Sequence, residues 1–265
     1  MTTPADNAVL PPLSPNGWLR WAVVSRLLPP PDRSLRVLEV GCGQGGFGAR
    51  LAQRYDYVGV EPDATSSSVA SRRLAEAGGG GEVRHGDLST LRDDEAFDLV
   101  CAFEVIEHIE DDHDAMLSWA DRAVPGGSVL LSTPAWQKRF GAADEMVGHF
   151  RRYDPPVLRD LLTGAGLVDV ELVHFGAPLG YLLEAGRNAL GRRRLASAVF
   201  ASGPSASSAT EVMAARSDAS GRTLQPSTSL SATAARLGTV PFRALQRAFP
   251  NTGPGLVARA RKPLA

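Results

Sequence analysis

Two kinds of hydrophobic pattern alternate along the chain, and their alternation predicts the fold class. Short apolar runs stand at Arg36–Val40 (RVLEV), Tyr57–Glu61 (YVGVE), residues 82–85, Phe97–Phe103 (FDLVCAF), Pro125–Ala135 and Leu167–Phe175 (LVDVELVHF). Continuous runs of this length read as strands buried on both faces of a mostly parallel sheet. Between them lie stretches with helical spacing. Asn16–Leu28 (NGWLRWAVVSRLL) ends at three prolines, residues 47–54 come after the first strand, and Ser66–Ala77 ends in a run of four glycines. Asp154-Pro155-Pro156 opens another helix by cap and proline, ended by Gly164 or Gly166. Strands alternating with helices predict an α/β protein with a doubly wound sheet.

A final strand-like run, Gly255–Arg261 (GLVARAR), comes only at the end of the chain. Residues 176–252 therefore read as an insertion, with helices over Pro178–Leu195 and Ala234–Phe249, the latter interrupted or started by Pro241. The Ser/Ala/Thr/Gly-rich stretch 201–232 between them is expected to be partly mobile. The expected organisation is a tail and helix over 1–34, a core over 35–175, an inserted cap over 176–252 and a last core strand within 253–265. Residues 1–14, polar and broken by prolines, are expected to be loosely attached.

Composition narrows the class further. The 265 residues suffice for one sizeable decorated domain, and 43% hydrophobic content is ordinary for a globular protein. Two cysteines, Cys42 and Cys101, are no disulfide framework and suit a reducing compartment. No signal peptide and no membrane-length apolar stretch is read, so a cytoplasmic protein is expected. The net charge of −1 hides an asymmetry: residues 187–265 carry 12 Lys+Arg against 2 Asp+Glu, and residues 1–186 carry 16 against 27. Mutual attraction of the two regions explains this better than an acidic ligand. Basic residues are nearly all arginine, which with abundant Ala and Gly points to a GC-rich bacterial genome.

The chemistry centres on residues 36–48, RVLEVGCGQGGFG. Gly41, Gly43 and Gly45 after a buried strand let the backbone turn sharply and approach a ligand that a Cβ would repel. The N–H groups opening the next helix add a polar cradle. A structural turn uses the same residues, so the loop decides nothing alone. About twenty residues on, the second strand ends in Glu61, suited to hold a ribose diol with its two carboxylate oxygens. His85-Gly86-Asp87 closes a third strand, EVIEH (Glu104–His108) comes after the fourth, and Pro125-Gly126-Gly127 introduces the fifth.

In this order the chain closely resembles the class I S-adenosylmethionine-dependent methyltransferases, over roughly residues 35–175. The resemblance rests on Glu39-Val40-Gly41-Cys42-Gly43-Gln44-Gly45, then Glu61, Asp87, EVIEH and the Pro-Gly-Gly turn. A nicotinamide dehydrogenase would share only the first two features. The resemblance implies a Rossmann-like seven-stranded doubly wound sheet, with a helical insertion between the sixth and seventh strands. It implies S-adenosyl-L-methionine as cofactor, bound by Glu39, Gly41, Cys42, Gly43, Gly45, Glu61, Pro62, Asp87, Leu88 and Phe103. Asp87 would lie beside the adenine amino group, although it also suits a helix cap. The helix over 16–28 would lean over the cofactor, where Trp18 and Trp21 suit core packing better than substrate contact.

If Glu104 begins a helical turn, Glu107 and His108 share its face. Two carboxylates and an imidazole there suit Mg²⁺ or another divalent cation. The spacing resembles metal-assisted O-methyltransferases of the ubiquinone pathway, and enzymes that methylate the terminal 2′-hydroxyl of small RNAs. In the latter a further histidine completes the site, and His149 stands at about that place. The four expected ligands are Glu104, Glu107, His108 and His149. The alternative is a metal-free loop above the methyl group, a reading that many relatives with E-V-x-E-H support.

The segment Gly148-His149-Phe150-Arg151-Arg152-Tyr153 lies beyond the fifth strand, at the carboxyl edge where ligands bind in such folds. His108 and His149 are the candidate general bases, and Arg151, Arg152, Tyr153 and Tyr181 the candidate substrate contacts. The cap would add selectivity through Glu184, Arg187 and Asn188 as well, or else form a homodimer contact. The expected reaction is O-methylation of a small molecule such as a secondary metabolite, glycan or quinone-like compound. The alternatives are an RNA 2′-O-methyltransferase and a non-catalytic cofactor-binding subunit. Few aromatics in the basic cap argue against nucleic acid.

Overall fold

A computed structural model describes residues 10–201 and 229–264. Seven strands form one sheet in the order β3-β2-β1-β4-β5-β7-β6. They are β1 (Arg36–Val40), β2 (Asp56–Glu61), β3 (Glu82–His85), β4 (Phe97–Phe103), β5 (Ala123–Pro134), β6 (Val168–Phe175) and β7 (Gly255–Arg261). The first five run parallel, while β7 lies antiparallel to both β5 and β6. Late return of the chain into the slot between β5 and β6 agrees with the reading of GLVARAR as the last strand.

Adjacent residues of a strand point to opposite faces, so each apolar run feeds two cores. Leu38, Val100, Val129 and Leu131 pack with Trp119, Met116 and Leu158 on one face. Val37, Leu99, Cys101 and Leu130 pack with Leu19, Val23, Leu51 and Tyr57 on the other. Both faces are covered, as the unbroken apolar runs require.

The flanking helices are α1 (Pro15–Leu27), α2 (Gly48–Leu51), α3 (Ala64–Ala77), α4 (Asp112–Asp121), α5 (Ala142–Val147) and α6 (Pro155–Gly164). Ser14 caps α1 by accepting from the Gly17 N–H at 3.1 Å, and Leu13 is buried, so the chain is attached from there on. The rest of the expected loose tail, residues 1–9, lies outside the described residues. Asp111 caps α4, as the acidic run there suggests. Asp154 does not cap α6 with its side chain: its Oδ1 accepts from the Gln137 N–H instead.

Between β6 and β7 stand α7 (Leu179–Ala201), α8 (Ser229–Gly238) and α9 (Val240–Ala248). The expected mobile stretch 201–232 falls mainly outside the described residues, but its end, from Ser229, is helical. The helix expected over Ala234–Phe249, interrupted or started at Pro241, is two helices that meet at Thr239, with Pro241 in the first turn of the second. Among the described residues no helix is long and apolar enough to cross a membrane.

Candidate active site

Strand order reverses between β1 and β4, and the carboxyl ends of β1, β4 and β5 gather three segments at that edge. The first is the glycine loop. Gly41 has φ +64°, and a Cβ there would stand 2.8 Å from Cγ2 of Val105, so this loop packs directly on the segment after β4. Gly43, also left-handed, is the opposite case: a Cβ there would meet nothing within 4 Å. That bare backbone faces open space, a cradle of the kind a bound cofactor needs. The Gly43 N–H donates to Oε2 of Glu61 at 2.7 Å, and the Asp63 N–H to Oε1 at 3.0 Å. Burial raises the Glu61 carboxyl above its ordinary range, against these two bonds.

Around the cradle, Phe103 meets Phe47 edge-on at 4.9 Å, and Phe47 meets Trp21 in the same way. Arg20, on α1, lays its guanidinium over Phe47 at 5.2 Å and pairs with Oε1 of Glu104 at 2.9 Å. Its Nε is buried without a hydrogen-bond partner among the described residues, a donor suited to an anionic group of a ligand. Glu39 runs beneath the loop instead. It is buried, accepts from the Tyr57 hydroxyl at 2.7 Å, and burial raises its carboxyl to about 8.

The EVIEH segment does not form the expected helical turn. Glu104 takes a left-handed backbone, φ +58°, and the next turn is a 3₁₀ turn over Ile106–His108. Glu104 is thereby engaged by Arg20 and by the Ser132 hydroxyl at 3.2 Å, outside the set of donors formed by Glu107, His108 and His149 although its charge still acts on them. Glu107 is fully buried. Its Oε2 accepts from the Thr133 hydroxyl at 3.3 Å, while Oε1 has no hydrogen-bond partner among the described residues. Burial, and then the charge of Glu104, push the Glu107 carboxyl well above its ordinary range.

His149 reaches Glu107 from the loop after α5. Its Nε2 lies 3.9 Å from Oε1 of Glu107, and its ring meets that of His108 edge-on at 4.5 Å. Glu107, His108 and His149 each offer a donor atom within 4.8 Å of the others. Nδ1 of His149 donates to Oδ1 of Asp144 at 2.8 Å. Burial opposes ionisation of Asp144, but bonds from His149 and Arg152 prevail and hold its carboxyl near 2. Burial and the neighbouring His149 lower His108 to about 4, so His108 is a neutral imidazole of weak basicity.

A methyltransferase-domain family model matches residues 19–172, more than half of the chain. The chain belongs to the methyltransferase domain family. Its similarity to a ubiquinone biosynthesis O-methyltransferase of Azorhizobium caulinodans is 36% identity over 105 residues, 39% of this chain and 42% of that relative. The match thus spans about two fifths of the relative's length. A phosphoethanolamine N-methyltransferase of Haemonchus contortus has a similar fold, with TM-score 0.58, 19% identity, and coverage of 94% of this chain and 54% of that one. A [4+2]-cyclase is similar too, with TM-score 0.53, 19% identity, and coverage of 93% and 82%. One fold therefore carries different chemistries, and the site must supply the argument for activity.

Several residues of this methyltransferase-family chain do other work than the sequence suggests. Tyr153 is fully buried among the core residues, its hydroxyl bonded to Oδ2 of Asp112 at 2.6 Å. Arg152 is buried between Asp144 and Glu184, each held at 2.8 Å. Arg151 pairs with Asp112 at 2.6 Å and with the Glu110 carbonyl. Tyr181 packs beneath the Arg139 guanidinium at 4.6 Å. Glu184 and Asn188 bind α7 to the α5 region rather than lining a pocket. Arg187 is exposed. Asp87, exposed, accepts from the Ser89 N–H and opens a 3₁₀ turn over Leu88–Thr90, the capping role named as its alternative. Pro62 is exposed beside Glu61, and Cys42 is buried in the loop.

Sequence reasoning missed Arg20 and Asp144. Arg20 has one visible signal, a lone cation between two tryptophans on an otherwise apolar helix stretch. Asp144 has none, because its pairing with His149 depends on the turn at Gly148, φ +80°, that folds the histidine back.

Proposed function

We propose that the chain is an S-adenosylmethionine-dependent methyltransferase that methylates a hydroxyl of a small molecule, with His149 as general base. The observation that carries this reading is Nε2 of His149 standing 3.9 Å from Oε1 of the buried Glu107, an oxygen with no hydrogen-bond partner among the described residues. The cofactor, when bound, supplies an electrophilic methyl group on a sulfonium. Gly41, Gly43 and Gly45 leave it room, Glu61 suits its ribose, and Arg20 suits its carboxylate. His149 takes the proton of the acceptor hydroxyl at Nε2, because Nδ1 already holds a proton shared with ionised Asp144. Glu107 orients that hydroxyl. Holding acceptor and donor in line, with water excluded, supplies much of the remaining rate. The name of the Azorhizobium relative, an O-methyltransferase, favours a hydroxyl acceptor.

A second reading has its own support. Glu107, His108 and His149 form a three-donor set that fits a divalent cation, and the weak basicity of His108 keeps its lone pair free. A cation there would lower the acceptor's pKa. Glu104, paired with Arg20, stands outside this set.

The test is transfer of isotope-labelled methyl from S-adenosylmethionine to a panel of phenols, catechols and sugars. Transfer that falls at least about a hundredfold in His149→Ala supports the general base. Full activity in that variant overturns it, and activity abolished by chelation and restored by Mn²⁺ favours the second reading.

A further inference from the structure

A chain of buried charges ties the inserted helix α7 to the imidazole of the site. Glu184, on α7 and 4% exposed, accepts from Nη1 of Arg152 at 2.8 Å through Oε2. Its Oε1 accepts from Nε of Arg139 at 3.0 Å. Arg152, 6% exposed, turns its Nε and Nη2 to Asp144, 2% exposed, at 2.8–3.0 Å. Asp144 in turn accepts the Nδ1 proton of His149. Glu184, Arg152 and Asp144 leave water together, and Arg139, still 34% exposed, supplies the second cation that balances the two carboxylates.

The helix also touches the backbone that carries Asp144. Oδ1 of Asn188 accepts from the Ala143 N–H at 2.9 Å. A Cβ at Gly191 would stand 3.0 Å from the Ala142 carbonyl oxygen, so α7 and α5 meet backbone to backbone. Withdrawal of α7 would remove one of the two carboxylates that hold Arg152 and loosen that guanidinium beside Asp144, which would keep the Gly141 N–H on Oδ2 at 2.9 Å. A neutral imidazole carries its proton on either nitrogen, and the bond made by one nitrogen decides the form presented by the other.

We infer that Glu184 and Arg152 are positioning residues for His149. Docking of α7 orients Asp144, fixes the Nδ1–H form of the imidazole and presents the Nε2 lone pair toward Glu107. The inserted segment thus controls whether the site is competent, and substrate contacts that seat or lift α7 would be felt at His149. This rests on the reading of His149 as the reactive imidazole of a cofactor-binding site, and it holds whether Nε2 meets a hydroxyl or a cation.

The test is ¹⁵N nuclear magnetic resonance of the histidine side chains in the full chain saturated with S-adenosylhomocysteine. The wild type is expected to show His149 protonated at Nδ1, with slow solvent exchange of that proton, and bare at Nε2. Glu184→Ala should lose this signature, with a mixture of the two forms. Glu184→Gln, which keeps the shape and a neutral hydrogen bond, should retain Nδ1–H but exchange it at least about tenfold faster. Thermal melting with S-adenosylhomocysteine, read in parallel, should show cofactor affinity unchanged in both variants. An unchanged signature in a folded Glu184→Ala overturns the relay and leaves the proposed function standing. Should that variant not fold, wild-type exchange in Glu184→Gln overturns it equally. Failure of the wild type to bind S-adenosylhomocysteine would instead count against the proposed function.

Discussion

Oε1 of the fully buried Glu107 and Nε2 of His149 stand 3.9 Å apart, beyond hydrogen-bond reach of each other. Oε1 has no other partner among the described residues, and Nε2 has its opposite nitrogen engaged by Asp144. A single oxygen or ion lodged between them would satisfy both. A buried polar atom left without a partner is costly, so its persistence points to a role beyond folding.

Glu107→Gln separates that role from stability. The substitution keeps the shape but removes a carboxyl that burial and Glu104 already hold in disfavour of its charge. Stability to urea should be unchanged or higher by about 1 kcal/mol, while methyl transfer falls at least about tenfold. Parallel loss of both would make Glu107 merely structural.

Removal of the Glu61 carboxylate should act on the cofactor alone. Its two oxygens, beside the cradle at Gly43, are placed for charge-assisted bonds. Glu61→Ala is expected to weaken S-adenosylhomocysteine by about 10- to 100-fold in calorimetry, equivalent to ~1.5–3 kcal/mol. Asp87→Ala, at an exposed position, should cost less.

Glu39 predicts an unusual dependence on pH. Its carboxyl is raised from 4.5 to about 8, chiefly by burial. Below 4.5 both folded and unfolded chains carry the proton, and Glu39 contributes nothing. Between 4.5 and about 8 the unfolded chain releases a proton that the folded chain keeps. The folded state therefore binds more protons, so stability falls as pH rises through that window and levels off above it. Glu39→Gln should gain on the wild type by roughly 2–4 kcal/mol from about pH 5 to about pH 8.5 in urea melts. Equal slopes would show that Glu39 ionises freely in the folded chain.

Tyr153→Phe tests the reassignment of the segment after β5. Loss of the bond to Asp112 should lower stability by about 1–2 kcal/mol and leave both cofactor affinity and the KM of any acceptor unchanged. A raised KM would return Tyr153 to the substrate.

The strand runs were legible because each feeds two cores, and their continuous apolarity has few other solutions. GLVARAR was found for the same reason, although some eighty residues separate it from β6 in the chain. The glycine loop and Glu61 were legible because their spacing along one β-loop-α-β unit fixes their proximity. The segments beyond β4 and β5 were not. Helical spacing placed Glu104 with Glu107 and His108, but a left-handed residue at Glu104 sent its side chain to Arg20. In GHFRRY Arg152 and Tyr153 turn inward and Arg151 pairs at the surface, because Asp112, Asp144 and Glu184 supply partners from other elements. His149 of that run lies beside Glu107 and His108. Pairings between distant segments leave no local pattern.

The most direct test is calorimetric titration of the chain with S-adenosylhomocysteine. One site per chain, retained in His149→Ala and weakened in Glu61→Ala, is expected if the glycine loop is a cofactor cradle with the reactive imidazole beyond it. No binding by the wild-type chain, or binding indifferent to Glu61, would contradict it.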